Sequence, residues 1–274
     1  MFKTIALILL SLKLFAAQPE PFALFTIPKS GSHLLIKTLY YMTGFTPKWH
    51  SEPPAAEQLF QEAHFPYTHC CLPPSLLDYY ARSPHKQILG IRDLRDVCVS
   101  IVYQIKKGTW PEFTRNREKR KFFEKLSFDE QLLYVIEQEY ELAPKIPLQL
   151  GIRKVAEQVT HLIQNPGLLI CRYEDLVGPN GGGSETAQKE LLRKIGLHIG
   201  LFLTPQEIDD LSSQLYGNEM NPFGQGDFSR YQSTFRQGKI GSWKTVFKDI
   251  HKEAFKRRLG EALITLGYEK DLNW

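Results

Sequence analysis

Cysteine is scarce in this chain: four residues in 274, at Cys70, Cys71, Cys98 and Cys171. None forms a C-x-x-C pair, and the eight histidines show no ligand spacing, so a structural zinc or dithiol redox centre is not expected and no metal site is assigned. Cys98 and Cys171 fall in apolar runs and read as core residues. The neighbours Cys70 and Cys71 are read as thiols, a disulfide between them being the less favoured alternative. Beyond residue 17 there is no apolar run long enough to span a membrane. The net charge of +4 is too small to imply nucleic-acid binding and suits a small anionic ligand. No internal repeat is visible. An ATP-binding G-x-x-x-x-G-K-[ST] loop is missing as well, which speaks against an ATP-dependent kinase.

What is present is an ordinary globular composition, 42% hydrophobic and 23% charged, in a chain of a size that α/β folds often reach as one domain. The first residues stand apart. "MFKTIALILLSLKLFAAQ" carries Lys3, an apolar stretch from Ile5 to Leu12 and the small residues Ala16 and Ala17, a signal-peptide-like pattern over 1–17. Lys13 interrupts it and no clean cleavage site follows, so an amphipathic N-terminal helix remains the alternative. A cleaved segment implies the secretory pathway or export; otherwise the chain is expected in the cytoplasm, with membrane contact only through this segment.

Short apolar runs alternate with helical periodicity in the rest of the chain. Strands are expected at Phe22–Ile27, around His64–Cys71, at Lys86–Ile91 and at "LLICRY"; helices at 34–42, after Arg92, at about Phe128–Glu141, Pro147–Ile163, Thr186–Ile195, Pro205–Leu215 and Ile250–Leu266. "SLLDYYA" reads as a short helix, Pro47–Pro54 as a Pro-rich loop, Arg115–Lys125 as a solvated basic surface and Gly217–Gly241 as a long loop. The alternation predicts an α/β fold: one domain with a central, mostly parallel sheet flanked by helices.

The segment "FTIPKSGSHLLIKTLYYM" joins the first strand to the first helix through the turn Lys29-Ser30-Gly31-Ser32. A helix start presents backbone N–H groups without internal partners and the positive end of the helix dipole. Glycine allows close approach, the serines add hydroxyl donors and Lys29 adds a charge, so the turn suits an anion. By itself it fits a capped helix start equally well. Three more segments repeat the theme. "GIRDLRDVCVS" puts Arg92 at a strand end and Ser100 about two helical turns on, although a surface ion-pair set of Arg92, Asp93, Arg95 and Asp96 is the bland alternative. "RYEDL" closes another strand, and "FRQGKIGSWK" sets Arg236 beside Gly238.

In this order the four segments resemble the sulfotransferases that use 3′-phosphoadenosine 5′-phosphosulfate (PAPS). "PKSGSHL" resembles the 5′-phosphosulfate loop of that family, "RDLRDVCVS" its 3′-phosphate motif, and "RYEDL" and "FRQGKIGSWK" its later motifs. The resemblance runs over residues 22–249, and it implies a P-loop-like strand–loop–helix within a sulfotransferase domain at 22–270.

The resemblance also implies roles. Lys29, Ser30, Gly31, Ser32 and His33 would hold the 5′-phosphosulfate; Arg92 and Ser100 the 3′-phosphate, closed over by Arg236, Gln237 and Gly238; Tyr173 would contact the adenine. A histidine would act as base. His64, in "HFPY", matches the family string directly and is preferred; His69, in "THCCLP", keeps a more usual distance to Arg92. Lys29 would stabilise charge on the leaving phosphate. The reaction would be sulfuryl transfer from PAPS, without metal, to a hydroxyl or amine of a small-molecule or glycan acceptor. Three departures mark this chain: Leu34 stands where relatives place an adenine-stacking tryptophan, Gln237 replaces a basic residue, and no lysine lies two positions before either histidine. They keep open a protein of the same fold that binds an adenine nucleotide without transferring sulfate. The acceptor is not legible, and Tyr41, Phe45, Trp49, Trp110 and Phe113 read either as pocket lining or as ordinary packing.

Overall fold

A computed structural model describes residues 18–49, 61–70, 85–138, 151–217 and 236–274. The segment 1–17, His50, Cys71, the "SLLDYYA" stretch, residues 139–150 and most of the long stretch after residue 217 lie outside the described residues.

Five strands form one sheet: β1 (Phe22–Thr26), β2 (Thr46–Trp49), β3 (His64–His69), β4 (Lys86–Ile91) and β5 (Leu168–Arg172). The order is β2-β3-β1-β4-β5 and every pairing is parallel. Side chains alternate across β1. Ala23 and Phe25, followed by Ile27, enter one core layer, while Phe22 and Leu24 enter the other. A strand buried on both faces has to be apolar throughout, which is why these runs lack the polar alternation of a half-exposed strand.

Helices cover both faces. α1 (Ser32–Thr43) packs Leu35, Ile36 and Leu39 on the Phe22–Leu24 side, together with Leu191, Leu192 and Ile195 from a later helix, Glu185–His198. α2 (Leu94–Lys106) packs Val97, Cys98, Ile101 and Ile105 on the Phe25 side, beside helices Phe128–Glu137 and Asp249–Thr265. Each fully buried phenylalanine or leucine contributes about 1.5–3 kcal/mol relative to exposure. Cys98 and Cys171 are buried free thiols, and Cys70 is buried.

Two local expectations change, and the solvated basic surface is kept in helical form. Thr46–Trp49 is a strand rather than the start of a loop; Pro47 is tolerated because β2 lies at the sheet edge, where a missing N–H breaks no inner ladder. Most of the basic stretch winds into helix Arg117–Lys125, whose charged residues face solvent while Phe123 is buried beside Phe113. Tyr173 starts a short helix, Tyr173–Leu176, instead of ending β5.

Candidate active site

β3 lies on one side of β1 and β4 on the other, so the chain leaves the C-terminal ends of β1 and β4 in opposite directions. In open parallel sheets ligands bind at such a switch point. Two of the four motif segments meet there: Ile27–Gly31 after β1, and Arg92–Asp93 after β4.

The loop after β1 is tightly wound. Lys29 has φ 67° and Gly31 φ 88°, both left-handed. Ser30 N–H donates to the Ile27 carbonyl at 3.1 Å, and Leu34 N–H to the Gly31 carbonyl at 2.9 Å. A β-carbon at Gly31 would overlap the Tyr173 ring, so glycine is needed there for space as well as for φ. The two serine hydroxyls are turned into the protein: Ser30 Oγ donates to the Gly90 carbonyl at 3.2 Å and Ser32 Oγ to Thr26 Oγ1 at 2.8 Å.

Four basic side chains act on one another here. Lys29 Nζ donates to Gln104 Oε1 at 3.0 Å. Desolvation, then the charges of Arg92, Lys107 and Arg236, pull the Lys29 pKa down to about 7. Arg92 is buried. Its Nη1 donates to the Lys29 carbonyl at 3.4 Å, and its Nη2 to the Lys239 carbonyl at 2.8 Å and Asp96 Oδ2 at 3.3 Å. Its guanidinium lies 4.5 Å from the Tyr173 ring centroid, and its Nε is buried without a hydrogen-bond partner. Arg236 sits 4.4 Å over the Tyr103 ring, and desolvation, opposed by Tyr103 and aided by the Arg92 charge, lowers its pKa.

The segment from Arg236 is held over this cluster. Tyr173 Oη donates to the Gly238 carbonyl at 2.7 Å, and desolvation raises the Tyr173 pKa to about 12, which keeps it a donor at neutral pH. Tyr216 Oη donates to the Gln237 carbonyl at 2.9 Å, and Arg236 Nη1 to Gln237 Oε1 at 3.1 Å. Ser100 lies half-buried on α2.

The two histidines are separated by the length of β3. His69 pairs with Thr26 at the C-terminal end of β1, and Thr26 Oγ1 lies 2.8 Å from His69 Nδ1. His64 is at the opposite end of the strand, bonded to Thr46, five residues and about 16 Å away. The position preferred from the sequence string is therefore the one the fold holds away from the loop. Desolvation, against a partly opposing hydrogen bond to Thr26 and with the Lys29 charge, lowers the His69 pKa to about 4, so its imidazole is neutral at pH 7. His33, on the first turn of α1, keeps much of its surface in solvent.

The "RDLRD" charges are no surface set, since Arg92, Asp93, Arg95 and Asp96 are all buried. Asp93 caps α2, accepting from Arg95 N–H at 2.9 Å. Arg95 pairs with Asp93 at 2.8 Å and Glu269 at 2.6 Å, and stacks 3.8 Å over the Trp243 ring. Asp96 accepts from Gly241 N–H at 2.8 Å and Trp243 N–H at 2.9 Å, tying the Arg236–Trp243 segment to α2. Thr26 and Gln104 carry no signal that the sequence patterns used, and Asp96 reads from sequence only as surface charge. Asp96 is one helical turn from Arg92 and Gln104 one turn from Ser100, a spacing that could have flagged both. Among the described residues no group of three His, Cys, Asp or Glu side chains is placed to hold a metal ion.

No family model matches the sequence, and no curated protein matches it. Solved structures do match by fold. The crystal structure of mouse sulfotransferase SULT7A1 complexed with PAP superposes with a TM-score of 0.61 at 14% identity, over 95% of this chain and 92% of that one. The chain therefore shares the sulfotransferase fold.

Proposed function

We propose that this protein is a sulfotransferase that moves the sulfuryl group of PAPS to a hydroxyl acceptor, with His69 as the proton acceptor. The observation that carries this reading is the convergence of Lys29, Arg92 and Arg236 at the switch point, where packing and mutual repulsion lower the Lys29 pKa from 10.5 to about 7. Such a cluster is costly alone and is relieved by a polyanion. The mouse sulfotransferase of the same fold is complexed with PAP, which supports a PAPS-type nucleotide as the ligand.

The residues fit such a nucleotide. The buried Arg92 Nε, without a hydrogen-bond partner, is a donor in want of an acceptor. Lys29 with the Ser30–His33 turn would hold the 5′-phosphosulfate. Arg92, Ser100 and Arg236 would hold the 3′-phosphate, with Gln237 and Gly238 closing over it, and Tyr173 would border the adenine. PAPS, when bound, supplies an activated sulfuryl group and a stable bisphosphate leaving group.

The chain's own chemistry is proton handling and charge stabilisation. A His69 Nδ1–H donated toward Thr26 leaves the Nε2 lone pair free. Nε2 takes the proton of the acceptor hydroxyl as its oxygen bonds to sulfur and the bond from sulfur to the phosphate oxygen breaks. The Lys29 ammonium, raised toward full protonation by the bound anion, stabilises the charge that appears on that phosphate oxygen.

Incubation with PAPS carrying a labelled sulfuryl group and a panel of hydroxyl and amine acceptors tests this. Label should appear on an acceptor, and more slowly with Lys29→Met. Binding of adenosine 3′,5′-bisphosphate with no transfer to any acceptor would leave a nucleotide-binding protein of the same fold.

A further inference from the structure

Trp49 ends β2 and pairs in register with Tyr67, which places it at the same sheet edge as His69, two residues farther along β3. Its ring meets Tyr67 edge-on at 5.3 Å and 79°, and His69 at 5.2 Å and 69°. Two edge contacts from one strand fix the plane of the indole. Yet the residue is 43% exposed. The other aromatics marked in the sequence behave differently: Trp110 and Phe113 are buried in the core, and Tyr41 and Phe45 pack against the α1 layer.

We propose that Trp49 is the platform on which the acceptor lies, and that it selects hydroxyls carried on a six-membered ring. The proposal rests on the sulfuryl-transfer reading and adds the acceptor class to it. An oriented, partly exposed indole offers a flat apolar face at little entropic cost. An aromatic ring stacks on that face, and so does the C–H face of a pyranose; a linear alcohol covers little of it. Because indole and imidazole are neighbours, a hydroxyl on the stacked ring comes within reach of His69. The platform therefore acts on acceptor binding and leaves the nucleotide contacts alone.

Transfer kinetics with a phenol, a methyl pyranoside and a linear alkanol, for the wild type, Trp49→Ala and Trp49→Phe, test this. For whichever ring acceptor is used, Trp49→Ala should raise KM about tenfold with kcat little changed, and Trp49→Phe should restore most of the loss. KM for the alkanol should not move. The phenol and pyranoside arms separate an aromatic from a carbohydrate acceptor. Equal KM changes for ring and linear acceptors, or a fall in kcat with KM fixed, overturn the platform. Failure of the wild type to bind adenosine 3′,5′-bisphosphate would instead sink the sulfuryl-transfer reading. The platform is then decided by the Trp49 indole N–H resonance during titration with phenol or methyl pyranoside: a saturable shift supports it, and no shift overturns it.

Discussion

The Tyr173 ring lies so close to Gly31 that a β-carbon on residue 31 would overlap its Cδ2 atom. One tyrosine thus packs on the anion loop, faces the Arg92 guanidinium and holds the Gly238 carbonyl through its hydroxyl. The loop after β1 and the late segment from Arg236 are braced on the same side chain, which explains how motifs far apart in sequence reach one site.

Gly31→Ala should damage both stability and binding. An L-residue in this left-handed position costs about 1–2 kcal/mol, and the Tyr173 ring has to move in addition. A chain of this size loses roughly 2–4 °C of melting temperature per kcal/mol. Calorimetry should therefore show a drop of several degrees, and nucleotide titration a loss of more than about tenfold. An unchanged melting temperature would mean that the loop relaxes freely.

Asp96 should be a structural residue that behaves like a site residue. It accepts two backbone N–H groups from the Gly241–Trp243 turn and pairs with Arg92. Asp96→Ala leaves a buried guanidinium and two amides without that partner, a loss of about 3–5 kcal/mol. Denaturant unfolding should show this, with Asp96→Asn intermediate because its carbonyl oxygen still accepts. A surface-like change below about 0.5 kcal/mol would contradict the placement.

The fold was legible where burial dictates composition. β1 and β4 are inner strands buried on both faces, so their apolar runs are strands almost by necessity, and Lys86–Ile91 and Pro205–Leu215 match their expected bounds. β2 was not legible, because Pro47 signals a loop unless the strand is known to be at the edge. The site was legible as residue types at strand ends. Which histidine stands at the edge was not: His64 and His69 differ only by position along one strand, and strand register is set by pairing with β1. Likewise, Asp96 and Arg95 read as surface charge because nothing local shows that Trp243, Trp274 and Glu269 fold back over them.

Nucleotide binding should take up a proton above neutral pH. The unfolded chain keeps the Lys29 proton to about the ordinary lysine value of 10.5, whereas the folded chain releases it near 7. Between those values the unfolded state binds more protons, so this group's contribution to stability improves as pH rises, and its cost is fully present below 7. A bound polyanion reverses the shift. Calorimetric titration at pH 8.5 in buffers of different ionisation enthalpy should show close to one proton taken up per nucleotide, lost in Lys29→Met. No buffer dependence would place Lys29 outside the anion site.

The histidines should separate cleanly. His69→Ala should retain bisphosphate binding and lower transfer by about 10²–10⁴-fold. His64→Ala should have a mild effect, because its partner is Thr46 at the far end of β3. The reverse pattern would return the base to His64 and require a different acceptor approach.

The most direct measurement is a calorimetric titration of the wild-type protein with adenosine 3′,5′-bisphosphate and with adenosine 5′-monophosphate. Charge-assisted bonds from arginine are worth about 1.5–3 kcal/mol, so contacts to the extra phosphate should make the bisphosphate bind at least about tenfold tighter, with the preference reduced in Arg92→Lys and Arg236→Ala. Equal affinity for the two nucleotides, or binding of neither, would contradict the account.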